Sequence, residues 1–148
     1  MEKYKIIEVK ESVFADNDRE AARARAALGE KGTFLLNLMS SPGSGKTTTL
    51  RFILDIYQAA FPSNEILLAA PTGRASRRMS EQTGKYASTL HSALGLVTEE
   101  DSPLNDTEML SADLIVVDEF SMVDMRLAYV LLERIKPGAQ LIIVGDAD

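Results

Sequence analysis

The 148-residue sequence contains no cysteine and a single histidine, His91. Without cysteine there is no disulfide framework, no thiolate metal site and no cysteine nucleophile, a composition compatible with a reducing cytoplasm. One histidine excludes a multi-histidine metal centre. No apolar run approaches the roughly 20 residues that span a bilayer, and Met1-Glu2-Lys3-Tyr4-Lys5 leads into no signal-type segment. A soluble, cytoplasmic protein without a membrane partner is therefore expected. Basic charge is scarce towards the C-terminus: residues 101–148 carry 3 of the 16 Lys and Arg but 10 of the 22 Asp and Glu, within a net charge of −6. Such a balance argues against tight nucleic-acid binding, which rests on a basic surface that releases counterions. A local basic patch at Arg74, Arg77, Arg78 and Lys85 is left.

The length is that of about one domain, residues 1–148, with one core covered by helices on two faces. The pattern predicts strands over 4–10, 34–39, 65–70, 114–117 and 140–144. It predicts helices over 17–28, 48–60, 74–82, 89–94 and 125–135. Asp16 or Asn17 would cap the first helix, and Gly29 and Gly32 would end it. Residues 98–108 are the most loop-like stretch. Strands alternating with helices imply an α/β fold with a parallel sheet and helices on both faces, with ligands at the carboxyl ends of the strands.

The most informative stretch is Ser40-Ser41-Pro42-Gly43-Ser44-Gly45-Lys46-Thr47, a glycine-rich turn between an apolar strand and a helix. Backbone N–H groups in such a turn, with the positive end of the helix, bind polyphosphate before any side chain contributes. Pro42, Gly43, Ser44, Gly45, Lys46, Thr47 and Thr48 are the candidate nucleotide contacts. Lys46 would reach the terminal phosphates and the Thr47 hydroxyl would ligate Mg²⁺. Ser40 stands where the usual pattern has glycine. A turn that binds nothing is disfavoured because strand, loop, Lys-Thr pair and helix all agree.

Asp118-Glu119 follows the most apolar strand, Leu114-Ile115-Val116-Val117. Phosphoryl transfer needs a carboxylate for the metal and a group that orients or deprotonates water. Asp118 is assigned to the metal and Glu119, with Lys46, to catalysis. The alternative is that Asp118 and Glu119 cap the next helix, helped by Ser121. Phe52, Tyr57 and Phe61 read as core packing. Arg74, Arg77 and Arg78 read as a DNA-facing patch or, more simply, as the solvated face of a short helix.

Residues 41–148 resemble superfamily 1 DNA helicases of the RecD type. The resemblance rests on Gly43-Ser44-Gly45-Lys46-Thr47-Thr48-Thr49, Leu68-Ala69-Ala70-Pro71-Thr72-Gly73-Arg74-Ala75 and Ser88-Thr89-Leu90-His91 with Leu94-Gly95. Ile115-Val116-Val117-Asp118-Glu119 with Ser121-Met122-Val123-Asp124, and Val144-Gly145-Asp146, complete it. It implies a RecA-like, three-layer P-loop NTPase driven by ATP, with the last strand between the loop strand and the Asp118 strand. Thr72, Arg74 and His91 would face single-stranded DNA; His91 reads equally well as a surface residue.

Residues 4–48 resemble the HypB family, GTPases that help insert nickel into hydrogenases, through Val9-Lys10-Glu11-Ser12-Val13, Asn17-Asp18, Ala21-Ala22 and Asn37 to Thr47, including Ser40. Two likenesses meeting in the loop imply a recombined or engineered chimera, HypB-like to residue 48 and helicase-like from 49. The cysteine and histidine ligands that a nickel role would require are absent. Residues 1–39 contain no glutamine to read adenine, and no Asn-Lys-x-Asp segment reads guanine. Weak base selectivity is expected, with ATP ahead of GTP. The helicase pattern continues beyond Asp148 to a sensor glutamine and a second motor domain with an arginine finger. Such a finger is worth roughly 10³–10⁵ in rate. At most a weak Mg²⁺-dependent ATPase without unwinding is therefore expected, with weak nucleic-acid binding. The alternatives are a folded scaffold that holds phosphate passively and a natural helicase fragment that binds single strands.

Overall fold

The computed structural model describes residues 19, 21–40, 43, 45–96 and 108–146, with Ser40 and Asp146 described by their backbone alone. Residues 21–30 form the first helix, α1. There follow β1 (Phe34–Ser40), α2 (Lys46–Ala60), β2 (Ile66–Ala70), α3 (Gly73–Thr83), β3 (Ala87–Thr89), α4 (Leu90–Ala93) and β4 (Leu114–Val117). A 3-10 turn (Phe120–Met122), α5 (Met125–Arg134) and β5 (Gln140–Asp146) complete the order.

The five strands form one parallel sheet in the order β1-β5-β4-β2-β3. As the helicase resemblance implies, β5 lies between β1 and β4. Phe34 pairs with Gln140 and Ser40 with Asp146, while Val117 pairs with Ile143 on the other side.

Side chains that alternate along the strands separate into two cores. Ile115, Val117, Ala69 and Leu141 pack with Leu28 of α1, Leu90 of α4 and Leu127, Val130 and Leu131 of α5. Leu114, Val116, Leu68, Ile142 and Val144 pack on the opposite face with Leu50 and Leu54 of α2 and Met79 of α3. With helices on both faces, every residue of β4 is buried, which is why that strand reads as an uninterrupted apolar run. The result is a three-layer α/β architecture.

Local chemistry sets the helix ends. Thr72 Oγ1 accepts the Ala75 N–H at 3.2 Å at the start of α3, and Gly84 closes it at φ 69°. Asp124 Oδ1 accepts the Leu127 N–H at 2.8 Å and starts α5. The other end of α5 receives the Lys31 ammonium, which donates to the Leu132, Glu133 and Ile135 carbonyls at 2.8, 3.0 and 3.3 Å. A cation there satisfies orphan carbonyls and complements the helix dipole.

Three sequence expectations need correction. The segment before α4 contains the short strand β3, held by Ala87 to Thr89 pairing with Leu68 to Ala70. Its three residues are too few to show a periodicity. Phe52 and Phe61 are 65% and 48% exposed, so they do not pack in the core; Tyr57, half-buried, stacks at a tilt on Phe61 with ring centroids 5.1 Å apart. The buried stripe of α2 runs through Leu50 and Leu54 instead, and Phe52 falls on the opposite side of a helix with 3.6 residues per turn. Finally, the alternative reading of Asp118 and Glu119 as caps fails for α5, which Asp124 caps; Glu119 stands at the N-cap of the 3-10 turn but makes no side-chain capping bond there. The expected strand over 4–10, the start of the first helix, and residues 98–107 lie outside the described residues. No helix among the described residues is long and apolar enough to cross a membrane.

Candidate functional site

The loop after β1 enters α2 through two glycines in the left-handed region, Gly43 at φ 81° and Gly45 at φ 86°. Side chains adopt that conformation reluctantly, so the loop's geometry and its glycines belong together. Gly45 is the N-cap of α2 and has no side chain with which to accept the first N–H groups; the first turn of α2 contains no acidic residue either. The contrast with α3, α4 and α5 is direct, because Thr72, Thr89 and Asp124 each close their helix through a side-chain oxygen. Helix starts left open in this way present N–H donors and partial positive charge to an anion.

On the far side, β4 delivers Asp118 and Glu119. The Asp118 N–H donates to the Ala69 carbonyl at 3.0 Å, and its Oδ1 accepts the Glu119 N–H at 2.8 Å. Glu119 sits at φ 50° and ψ 40°, the one non-glycine residue with positive φ among the described residues. Backbone strain of this kind costs on the order of 1–3 kcal/mol and accumulates where side chains must be aimed. It turns the chain sharply from β4 into the 3-10 turn, where the Glu119 carbonyl accepts the Met122 N–H at 2.9 Å.

Between them lies a cavity of about 420 Å³ lined by Gly43, Gly45, Lys46 and Thr47, by Asp118 and Glu119, and by Arg78, Met79, Gln82 and Thr83 of α3. The Lys46 Nζ donates to the Gly145 carbonyl of β5 at 3.2 Å, and the Thr47 hydroxyl donates to Gln82 Oε1 at 3.4 Å. Thr48 is exposed and does not line the cavity. Pro42 and Ser44 lie outside the described residues. Among the described residues no three His, Cys, Asp or Glu side chains cluster as a metal site. One hydroxyl and one carboxylate, with phosphate and water oxygens, suit Mg²⁺, which keeps much of its water shell.

The other candidates are elsewhere. Arg74 and Arg77 line a separate cleft of about 520 Å³ with Gly73, Arg78 and Glu81. Thr72 uses its hydroxyl to cap α3. His91 is exposed on α4 and lines neither cavity. The sequence offers Arg78 as part of a DNA-facing patch or a solvated helix face and Gln82 only as the end of the helix over 74–82, and neither as a residue of this cavity. The signal was the spacing Ala75, Arg78, Gln82, which places all three along one side of α3.

Comparison with known proteins agrees with this geometry. The AAA domain family matches residues 20–148. The ATP-dependent RecD2 DNA helicase of Deinococcus radiodurans is 38% identical over 145 residues, which cover 90% of this chain and 20% of that protein. The RecD subunit of the RecBCD enzyme of Mycolicibacterium smegmatis is 37% identical over 154 residues, 88% of this chain and 27% of the subunit. Among solved structures, the Pif1 helicase of Candida albicans superposes with a TM-score of 0.58 at 25% identity, over 85% of this chain and 31% of that one. The chain thus spans about a fifth to a quarter of the length of these curated relatives. It belongs to the AAA domain family, as a helicase-like P-loop NTPase domain of the RecD kind.

Proposed function

We propose that this chain binds a nucleoside triphosphate with Mg²⁺ in the cavity between the loop and Asp118, as one P-loop domain, and that ATP is the preferred nucleotide. The observation that carries the reading is the open N-terminus of α2 facing a cavity that also holds Lys46, Thr47 and Asp118. The N–H groups that follow Gly45 at the start of α2 cradle phosphate, and Lys46 leaves the Gly145 carbonyl for the terminal phosphates. Thr47 and Asp118 would hold Mg²⁺, which would supply charge neutralisation for those phosphates. Glu119 orients the attacking water. The Deinococcus radiodurans relative is an ATP-dependent RecD2 DNA helicase, and the ATP preference is carried over from that likeness.

The family match crosses residues 40–47 without a break, which favours a single helicase ancestry for residues 20–148 over a HypB-to-helicase junction inside the loop. Calorimetric titration of ATP and GTP in Mg²⁺ tests the reading. ATP binding that Lys46→Ala weakens by at least about tenfold supports it; heat-silent titrations with both nucleotides sink it and leave passive phosphate holding.

A second reading concerns the arginine cleft on α3. Arg74 and Arg77 beside Arg78 give single-stranded DNA a cationic track. Binding of a fluorescent oligonucleotide at low salt that falls as salt rises would support it. Equal binding by the Arg74→Glu, Arg77→Glu double variant would remove it.

A further inference from the structure

α3 is a rigid support beside the loop. Thr72 caps its start and Gly84 its end; Met79 is 1% exposed in the core shared with Leu50 and Leu54 of α2. Ser80 Oγ accepts the Ala87 N–H at 2.9 Å, which ties the last turn of α3 to β3. From this support Gln82 reaches Thr47, 35 residues earlier in the chain, and accepts its hydroxyl hydrogen at 3.4 Å.

A threonine hydroxyl has one hydrogen and two lone pairs. When a lone pair ligates a divalent cation, the hydrogen must point away from the metal, and the metal's charge makes that hydrogen a stronger donor. An acceptor outside the metal's ligand set therefore fixes the hydroxyl's rotation and strengthens its lone pair, as hydrogen-bond partners of other metal ligands do. The 3.4 Å separation lies beyond the usual range of O–H···O bonds, roughly 2.5–3.0 Å, so the contact is weak as it stands and is expected to shorten as the hydrogen becomes a better donor.

We propose that Gln82 is a positioning residue for Mg²⁺: its side-chain oxygen takes the Thr47 hydrogen and so turns the Thr47 oxygen to the metal. This assignment rests on the nucleotide reading above. Gln82 lines the nucleotide cavity but acts on the metal through Thr47, so its loss should weaken binding in Mg²⁺ more than metal-free binding.

The test is the fluorescence of a methylanthraniloyl derivative of ATP bound to the whole chain, titrated with Mg²⁺ from EDTA. Gln82→Met keeps the side chain's length and removes the acceptor; Gln82→Glu keeps an acceptor that cannot donate. For Gln82→Met we expect the Mg²⁺ half-saturation to rise about tenfold, with a smaller fall of affinity in EDTA and a melting temperature close to wild type. Gln82→Glu should restore the wild-type half-saturation or lower it. In a Thr47→Val background, Gln82→Met should add nothing, because the hydroxyl through which Gln82 acts is gone. An unchanged half-saturation in Gln82→Met, an equal fall in EDTA and in Mg²⁺, or full additivity with Thr47→Val each overturns the assignment while wild-type binding keeps the nucleotide reading intact. A wild type that binds no nucleotide overturns both.

Discussion

The Lys46 ammonium donates to the Gly145 carbonyl at 3.2 Å across 99 residues of chain, joining the first turn of α2 to the end of β5. The contact exists because β5 runs between β1 and β4, in register with both. It holds a flexible cation at the mouth of the phosphate loop and lets a stronger acceptor take it. Hydrogen bonds to charged groups are worth about 1.5–3 kcal/mol, so Lys46→Ala should weaken Mg²⁺-ATP binding roughly 10- to 100-fold. Half-exposed as it is, the residue should contribute no more than about 1.5 kcal/mol to folding. Titration calorimetry and urea unfolding of one variant separate the two effects.

Glu119 is held in the left-handed region, where glycine is at ease and glutamate is not. Glu119→Gly should raise stability by about 1 kcal/mol, read as a higher urea midpoint, while hydrolysis falls. Glu119→Gln keeps the strain and should keep nucleotide binding while turnover drops. A Gln variant with wild-type turnover removes Glu119 from the chemistry.

Asp113 carries the pH prediction. Its carboxylate lies 2.7 Å from the Lys136 ammonium and accepts the Glu65 N–H at 2.8 Å. The hydrogen bond from Lys136, then that from the Glu65 backbone, holds its pKa below the ordinary value of 3.8. A lowered native pKa means that the unfolded chain takes up the proton first. The stabilisation is therefore full above pH 3.8 and is lost as pH falls through the native value. Asp113→Asn should unfold more readily than wild type at pH 7, and the difference should close in strong acid. Urea midpoints at several pH values show it; a gap constant with pH refutes the assignment.

Arg134 is 6% exposed on the buried side of α5, donates through Nη1 to the Leu94 carbonyl, and has no partner for its Nε among the described residues. The guanidinium ties α5 to the end of α4, and its stem fills core volume. Arg134→Ala should destabilise by about 2–4 kcal/mol, the sum of a cavity and a lost charged hydrogen bond. Arg134→Met refills the volume and removes the unpaired donor, so it should recover about half of that loss. Both are read by urea unfolding.

Much of the fold and the centre of the site were legible in the residues. β4 announces itself as four consecutive apolar residues because both of its faces are covered, and the Asp118-Glu119 pair follows from where that run ends. Gly43, Gly45, Lys46 and Thr47 were legible because a phosphate loop is a local structure: the glycines permit its backbone turns and the next residues begin the helix. α2 and α5 were legible from their 3.6-residue spacing. β3 was not, being too short to show a period, and Phe52 misled because aromatic character says nothing about which side of a helix faces the core.

What the sequence by itself determined is therefore the set of elements and the loop, since both depend on neighbours within a turn or two of chain. Tertiary structure decided which distant groups meet there. The position of β5 puts Gly145 under Lys46, the packing of Met79 turns Arg78 and Gln82 of α3 towards Thr47, and the cap at Asp124 leaves Asp118 for the cavity. Residues far apart in the chain are brought together by burying two apolar faces of one sheet, and no local pattern records which partners that burial selects.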